Sequence, residues 1–268
     1  MILCIDAGNT NIKCGVFGGG ESLPQSSRGL IGEEPRKSWR LATDKSATAD
    51  QYAMLFLQLL AHAGLRAEDI SGAIIASVVP TINNTLEQTL SKILTVKPLF
   101  VGPGTKTGLA IRYDDPRQLG ADRIVSAVAA YNMHGGPVIV ADFGTATSFG
   151  AVSAKGEFLG GCICPGLAVA ADALASRAAR LTAVDFDPPS RVIARNTVNG
   201  LQSGLIYGYI GQVEYLVARM RGEMGAPGCP VIATGGMAGL VAERSEAITE
   251  VDPDLTLKGL AMLFEKNG

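Results

Sequence analysis

Pro137-Val138-Ile139-Val140-Ala141-Asp142-Phe143-Gly144-Thr145-Ala146 repeats, in the second half of the chain, the pattern of Ile2-Leu3-Cys4-Ile5-Asp6-Ala7-Gly8-Asn9-Thr10 at its start. Each is an apolar run closed by an acid, any residue, a glycine and a small polar residue. The apolar run has strand character, and Asp-x-Gly with small polar neighbours is turn chemistry. Extended character resumes over Ile12 to Phe17 and over Ser148 to Val152, so residues 2–17 predict one β-hairpin and the later segment a second. The parallel continues downstream. Ile74-Ile75-Ala76-Ser77-Val78 precedes a helical pattern over Thr81 to Leu94, and Val231-Ile232-Ala233-Thr234-Gly235-Gly236 precedes another. One α/β unit used twice accounts for both. Turn signals at Tyr113-Asp114-Asp115-Pro116 place the join there, with domains over 1–116 and 117–268.

Between these landmarks lie further helical patterns over 49–63, Asp122 to Tyr131, Leu167 to Leu181 and Asn196 to Met224. In the last, Val198, Leu201, Leu205, Tyr209, Val213, Leu216, Val217 and Met220 form a three- and four-residue stripe suited to core or subunit contact. Gly18 to Ser38 is rich in Gly, Ser, Pro and charge and predicts a loop.

Composition excludes several classes. The 268 residues are 47% hydrophobic, enough to bury a core without staples. Twenty-three Lys plus Arg face 25 Asp plus Glu, a net charge of −2, so no basic face for nucleic acid is implied. Cys4, Cys14, Cys162, Cys164 and Cys229 are an odd, scattered set without disulfide or zinc spacing, which predicts reduced thiols and a cytoplasmic setting. No apolar run approaches the ~20 residues of a membrane span, and Met1 to Asp6 lacks the basic start of a signal peptide. His62 and His134 have no metal-ligand partner in register and are expected to be structural or solvent-facing.

The chemistry concentrates at the two turns. A tight turn built of glycine and small hydroxyl residues aims several backbone N–H groups at one point, a nest for phosphate oxygens. Two such nests in a cleft between two domains suit a polyphosphate. An acid beside each would repel phosphate unless a cation lay between, so Asp6 and Asp142 imply bound metal. For one isolated turn, a plain hairpin with an Asx-type hydrogen bond explains as much; repetition at the same place in both halves favours the ligand. Gly102-Pro103-Gly104-Thr105-Lys106-Thr107 lacks the frame of a P-loop. Gly120-Ala121-Asp122-Arg123 sets an acid beside a fixed cation near a helix start. That pair can orient a substrate hydroxyl and clamp a carboxylate or phosphate. On spacing alone, an acid favouring the helix macrodipole is the simpler account of Asp122. Gly160-Gly161-Cys162-Ile163-Cys164-Pro165-Gly166 suits close backbone packing at a helix entry, and Thr234-Gly235-Gly236 allows a flat ring to approach the backbone.

Taken in order with Asn196-Thr197, these motifs resemble the type III pantothenate kinases over nearly the whole chain. The resemblance implies the acetate and sugar kinase, Hsc70 and actin superfamily: two duplicated ribonuclease-H-like domains with an inter-domain cleft. It implies ATP-dependent phosphorylation of pantothenate to 4'-phosphopantothenate, the first step of coenzyme A synthesis, by a homodimer using magnesium and a monovalent cation, potassium or ammonium. Position by position, Asp6, Ala7, Gly8, Asn9, Thr10, Asn11, Ile12 and Lys13 match the first phosphate loop, with Asp6 near magnesium. Thr145 matches the second loop and Asp142 the monovalent-cation ligand. Asp122 matches the catalytic base, Gly120, Ala121 and Arg123 the pantothenate site, Tyr113 a further pantothenate contact, and Thr197 a substrate contact that the partner subunit can supply. Gly18 to Arg36 is longer than the family's usual hairpin connection. The competing readings are a related kinase or phosphatase acting on another small alcohol or acid, and an accessory or regulatory nucleotide-binding protein that keeps the fold without the chemistry.

Overall fold

A computed structural model describes residues 1–18, 33–94, 96–177 and 184–268. In chain order the elements are β1 (Ile2–Ala7), β2 (Asn11–Phe17), β3 (Lys37–Ala42), α1 (Ala49–His62), β4 (Gly72–Ser77), α2 (Pro80–Ile93), β5 (Leu99–Phe100), β6 (Ala110–Ile111) and α3 (Ala121–His134). Then follow β7 (Val138–Phe143), β8 (Ala146–Val152), β9 (Glu157–Pro165), α4 (Leu167–Arg177), α5 (Thr197–Glu223), β10 (Val231–Thr234), α6 (Ala238–Ala242), β11 (Glu250–Val251) and α7 (Leu255–Asn267).

The duplication is visible in register. The first sheet runs β3-β2-β1-β4-β5, and the second contains β9-β8-β7-β10-β11 in the corresponding order. In each, the central strand pairs antiparallel with its hairpin partner and parallel with the strand that follows the next helical region. Asp6 pairs with Lys13 and Ala76; Asp142 pairs with Ser148 and Thr234. β1 and β7 have the same succession of buried and half-buried residues, and so do β2 and β8. A strand covered on both faces has no polar side to alternate with, which is why Ile2–Ile5 and Val138–Ala141 are continuous apolar runs.

Two cores result. Leu3, Ile5 and Ala7 of β1 meet Tyr52 and Phe56 of α1 and Leu86 of α2. Ile139, Ala141 and Phe143 of β7 meet Ile206, Tyr209 and Val213 of α5. Of the α5 stripe, Tyr209, Val213 and Val217 are buried, Leu205, Leu216 and Met220 flank that core, and Val198 is exposed. Helix α7 packs on β1, β2 and β4. Gly15 and Gly72 give it room, because a side chain at either would meet Leu257 or Phe264.

By contact the chain separates into Met1–Met133 with Asp254–Gly268, and His134–Pro253. This differs from the expected join at 116/117. Helix α3 stays with the first sheet because α7 holds it there: Ser126 Oγ and Thr256 Oγ1 are 2.9 Å apart, and Gly259 lies against the Val125 backbone. The turn expected around Pro116 is present as a 3-10 turn over Pro116–Gln118 that follows Asp115. Of the expected loop over Gly18 to Ser38, residues 19–32 lie outside the described ones, and Lys37 and Ser38 belong to β3. The expected helix end at Leu181 also falls outside them. All five cysteines are free thiols. No described helix is long and apolar enough to cross a membrane.

Candidate active site

The first tip is built by Gly8, Asn9 and Thr10 between β1 and β2. The Gly8 N–H donates to the Asn11 carbonyl at 2.9 Å and closes the turn. β3 then braces it from the far side of β2. The Thr43 N–H donates to the Thr10 carbonyl at 3.0 Å, and the Thr43 hydroxyl donates to the Gly8 carbonyl at 2.6 Å. Asn9, Thr10 and Asn11 are exposed, Ala7 and Ile12 are buried, and Asp6 and Lys13 are half-buried on paired positions. Lys13 Nζ lies 2.9 Å from Asp254 Oδ1, just before α7. Thr43 and Asp254 lie far along the chain from the loop they support and carry no local signature, so sequence reasoning missed them.

The second tip repeats the plan with Gly144 and Thr145. The Gly144 N–H donates to the Ala146 carbonyl at 3.1 Å, and the Gly166 N–H to the Thr145 carbonyl at 3.1 Å. A side chain at Gly166 would run into the carbonyls of Gly144 and Thr145. That is the close packing expected of this glycine motif. Asp142 is bounded by Gly235, where φ is +92° and a Cβ would stand 2.6 Å from Asp142 Oδ1. The Thr234-Gly235-Gly236 motif therefore closes on the acid of the second tip. Beneath it, the Thr147 and Tyr209 hydroxyls share a buried hydrogen bond that ties β8 to α5. Burial raises the Tyr209 pKa, so the phenol stays protonated.

The third group is the start of α3. Asp122 Oδ1 accepts the Arg123 N–H at 2.8 Å. Burial pushes this carboxyl above the ordinary aspartate value, and the Arg123 N–H and guanidinium pull the other way. A side chain at Gly120 would strike Asp122 Oδ1, so the glycine makes room for the carboxylate. Arg123 Nη1 is 3.5 Å from the Tyr113 hydroxyl, and the guanidinium carbon is 6.0 Å from the Tyr113 ring centre. Val78 links this group to the first tip: its N–H donates to the Ala7 carbonyl at 3.1 Å, and its Cγ1 is 3.6 Å from where a Gly120 side chain would begin.

The structure thus gathers Tyr113, Gly120, Ala121, Asp122 and Arg123 next to the first loop. Asp142 and Thr145 belong to the second tip. Thr197 is the exposed first residue of α5, whose N-cap Asn196 accepts the Asn199 N–H at 2.8 Å. Among the described residues no three His, Cys, Asp or Glu side chains converge on a metal position. A magnesium ion held by one carboxylate, phosphate oxygens and water needs no such cluster, and a half-buried carboxylate beside an exposed nest meets that requirement. His62 is exposed at the end of α1, and His134 Nδ1 lies 3.9 Å from Glu250.

The sequence profile of the type III pantothenate kinase family matches residues 2–219. A type III pantothenate kinase from Moorella thermoacetica is 48% identical over 267 residues and covers 100% of both chains. Among solved structures, a conserved Baf family protein from Campylobacter jejuni has a TM-score of 0.63 at 17% identity, covering 99% of this chain and 98% of that one. A Sinorhizobium meliloti protein assigned as a 2-dehydro-3-deoxygalactonokinase has a TM-score of 0.53 at 12% identity, covering 99% and 96%. The two structural likenesses concern the fold alone.

Proposed function

The chain belongs to the type III pantothenate kinases, and from that premise we propose how its residues divide the work of the reaction. The fold is the duplicated ribonuclease-H-like α/β fold of the actin-like ATPases. The reaction moves the γ-phosphoryl group of ATP to pantothenate and gives 4'-phosphopantothenate, the opening step of coenzyme A synthesis.

The observation that carries the assignment is the placement of Asp122, a half-buried carboxylate at a helix start beside Gly120, with Val78 lying against both Gly120 and the end of β1. Asp122 orients the primary hydroxyl of pantothenate and accepts its proton. Its raised pKa brings it nearer the operating pH, where a general base is most effective. Arg123, steadied by Tyr113, holds the substrate carboxylate, and Gly120 and Ala121 line the same pocket. Thr197 adds a contact from α5. Residues Asp6 to Lys13 cradle the nucleotide phosphates through backbone N–H groups, and Thr145 does so from the second tip. Asp6 would hold magnesium, which supplies neutralising charge to the phosphates. Asp142 would hold the monovalent cation: it stands at a strand end with Ser148 across from it, where the first hairpin has Lys13.

A homodimer would give cover to exposed Leu159 and Ile163 on β9, Val169 and Leu174 on α4 and Val198 on α5. Free thiols throughout support a cytoplasmic setting. A coupled assay of ADP release with and without pantothenate tests the whole reading. Release that depends on pantothenate is expected. ATP binding without pantothenate-dependent release would instead identify an accessory protein.

A further inference from the structure

The first tip is braced by the Thr43 hydroxyl, where the second has Gly166. The Thr43 hydroxyl donates to the Gly8 carbonyl at 2.6 Å while the Thr43 N–H donates to the Thr10 carbonyl at 3.0 Å. In a planar trans peptide the carbonyl and the following N–H point in opposite directions. A Gly8 carbonyl held against Thr43 therefore turns the Asn9 N–H away from β3, to the exposed side of the loop. Glycine at position 8 has the backbone freedom to let that peptide swing if nothing holds it.

We propose that Thr43 is a positioning residue for the nucleotide: its hydroxyl, at the end of β3, fixes the Gly8–Asn9 peptide so that the Asn9 N–H is presented to a phosphate oxygen. This rests on the reading of residues 6–13 as the nucleotide loop. Thr43 touches no substrate itself. It acts before binding, by removing the cost of orienting the peptide when ATP arrives. At the second tip the corresponding place is held by Gly166, whose N–H donates to the Thr145 carbonyl, and a side chain there would meet the Gly144 and Thr145 carbonyls.

The test uses Thr43→Val, which keeps the β-branched shape and the backbone N–H and removes only the hydroxyl. Thr43→Ala serves as a second hydroxyl-free variant and Thr43→Ser as the rescue. Full-length proteins are compared by KM for ATP, KM for pantothenate, Kd for a non-hydrolysable ATP analogue, and melting temperature. Expected are an ATP KM and analogue Kd raised about tenfold in both hydroxyl-free variants, the size one hydrogen bond to a phosphate oxygen carries. The pantothenate KM stays within about twofold, and the serine variant is close to the parent. An unchanged ATP KM, a parallel rise of both KM values with a fall in melting temperature, or failure of serine to rescue would overturn the proposal. Asp6→Asn separates the two layers. If it raises the ATP KM while Thr43→Val does not, only the role of Thr43 falls. If neither does, the nucleotide-loop reading falls as well.

Discussion

At the first hairpin three residues, Gly8, Asn9 and Thr10, join the strands; at the second, Gly144 and Thr145 do so alone. Across from the acid stands Lys13 in one and Ser148 in the other. Behind the tip stands Thr43 in one and Gly166 in the other. Beneath, the order of the five shared strands, the hairpin register, the buried and half-buried succession of its strands and the glycine N–H that closes each turn are the same, and the second sheet adds β6 beside β9. The difference shows where a duplicated fold is held and where it can drift. Positions packed on both faces tolerate little change in volume, whereas rim positions touch solvent or ligand. Across from the acid, one copy of the rim carries Lys13 and the other Ser148, so the two rims differ in charge at a shared position.

The sharpest way to break this comparison is to find the proton chemistry at either tip. Asp122→Asn should lower kcat about 10²–10⁴-fold, the range of a lost general base, with ATP binding unchanged. A larger loss of kcat from Asp6→Asn or Asp142→Asn would place the chemistry at a tip. The same variant has a stability signature. Burial raises the Asp122 pKa in the folded state, so between its ordinary value and the raised one the folded chain binds more protons than the unfolded chain. Stability therefore falls as pH rises through that window, and at neutral pH the buried charge is destabilising. Asp122→Asn should melt higher than the parent at neutral pH, and the gap should close in acid. A thermal scan at two pH values checks it.

The rims also predict unequal tolerance. Gly166→Ala should destabilise by about 1–3 kcal/mol, since its methyl group meets two carbonyl oxygens. Thr43→Ala, at the corresponding place, should cost less than about 1 kcal/mol, one hydrogen bond in a half-buried setting. Urea midpoints measure both, and equal losses would mean that the two tips are braced alike.

These contrasts also mark what the sequence could disclose. β1 and β7 were legible because strands covered on both faces leave continuous apolar runs. β3 was not: Lys37-Ser38-Trp39-Arg40-Leu41-Ala42 is an edge strand, polar and mostly exposed. β9 was hidden by its glycines and by the exposed Leu159 and Ile163. Helix α7 is buried almost all round from Leu255 to Leu263, so it has no polar face to reveal a period. Its return to the first sheet is a long-range contact that no local pattern encodes. The acids at both tips were legible through repetition. Spacing alone left Asp122 as a helix-start charge and only the family resemblance marked it as a base, because its burial comes from tertiary packing.

A third contrast concerns cations. Asp142→Asn should raise the potassium concentration needed for half-maximal activity at least tenfold, a loss of about 1.4 kcal/mol in cation binding. Asp6→Asn should leave that value unchanged and shift the magnesium requirement instead. A cation titration in which the two variants respond identically would erase the division of labour between the tips.

A further modest effect lies at Lys13. Its ammonium is 2.9 Å from Asp254, and both side chains are only 18% and 19% exposed, so the pair is neither freely solvated nor fully desolvated. Exposed pairs contribute about 0–1 kcal/mol, while removing one partner of a buried pair costs about 3–5 kcal/mol. A half-buried pair at the end of a helix already anchored by Leu255, Leu257 and Leu260 belongs near the lower range. A double-mutant cycle of Lys13→Met and Asp254→Asn should give a coupling of about 1 kcal/mol, weakening in high salt. The ATP KM then says what the pair is for. If Asp254 merely anchors α7, Asp254→Asn lowers the melting temperature and leaves the ATP KM alone. If it holds Lys13 in the posture that meets phosphate, Asp254→Asn and Lys13→Met raise the ATP KM together. The second outcome is expected, because the second hairpin has Ser148 at the place of Lys13 and has no ammonium there to hold.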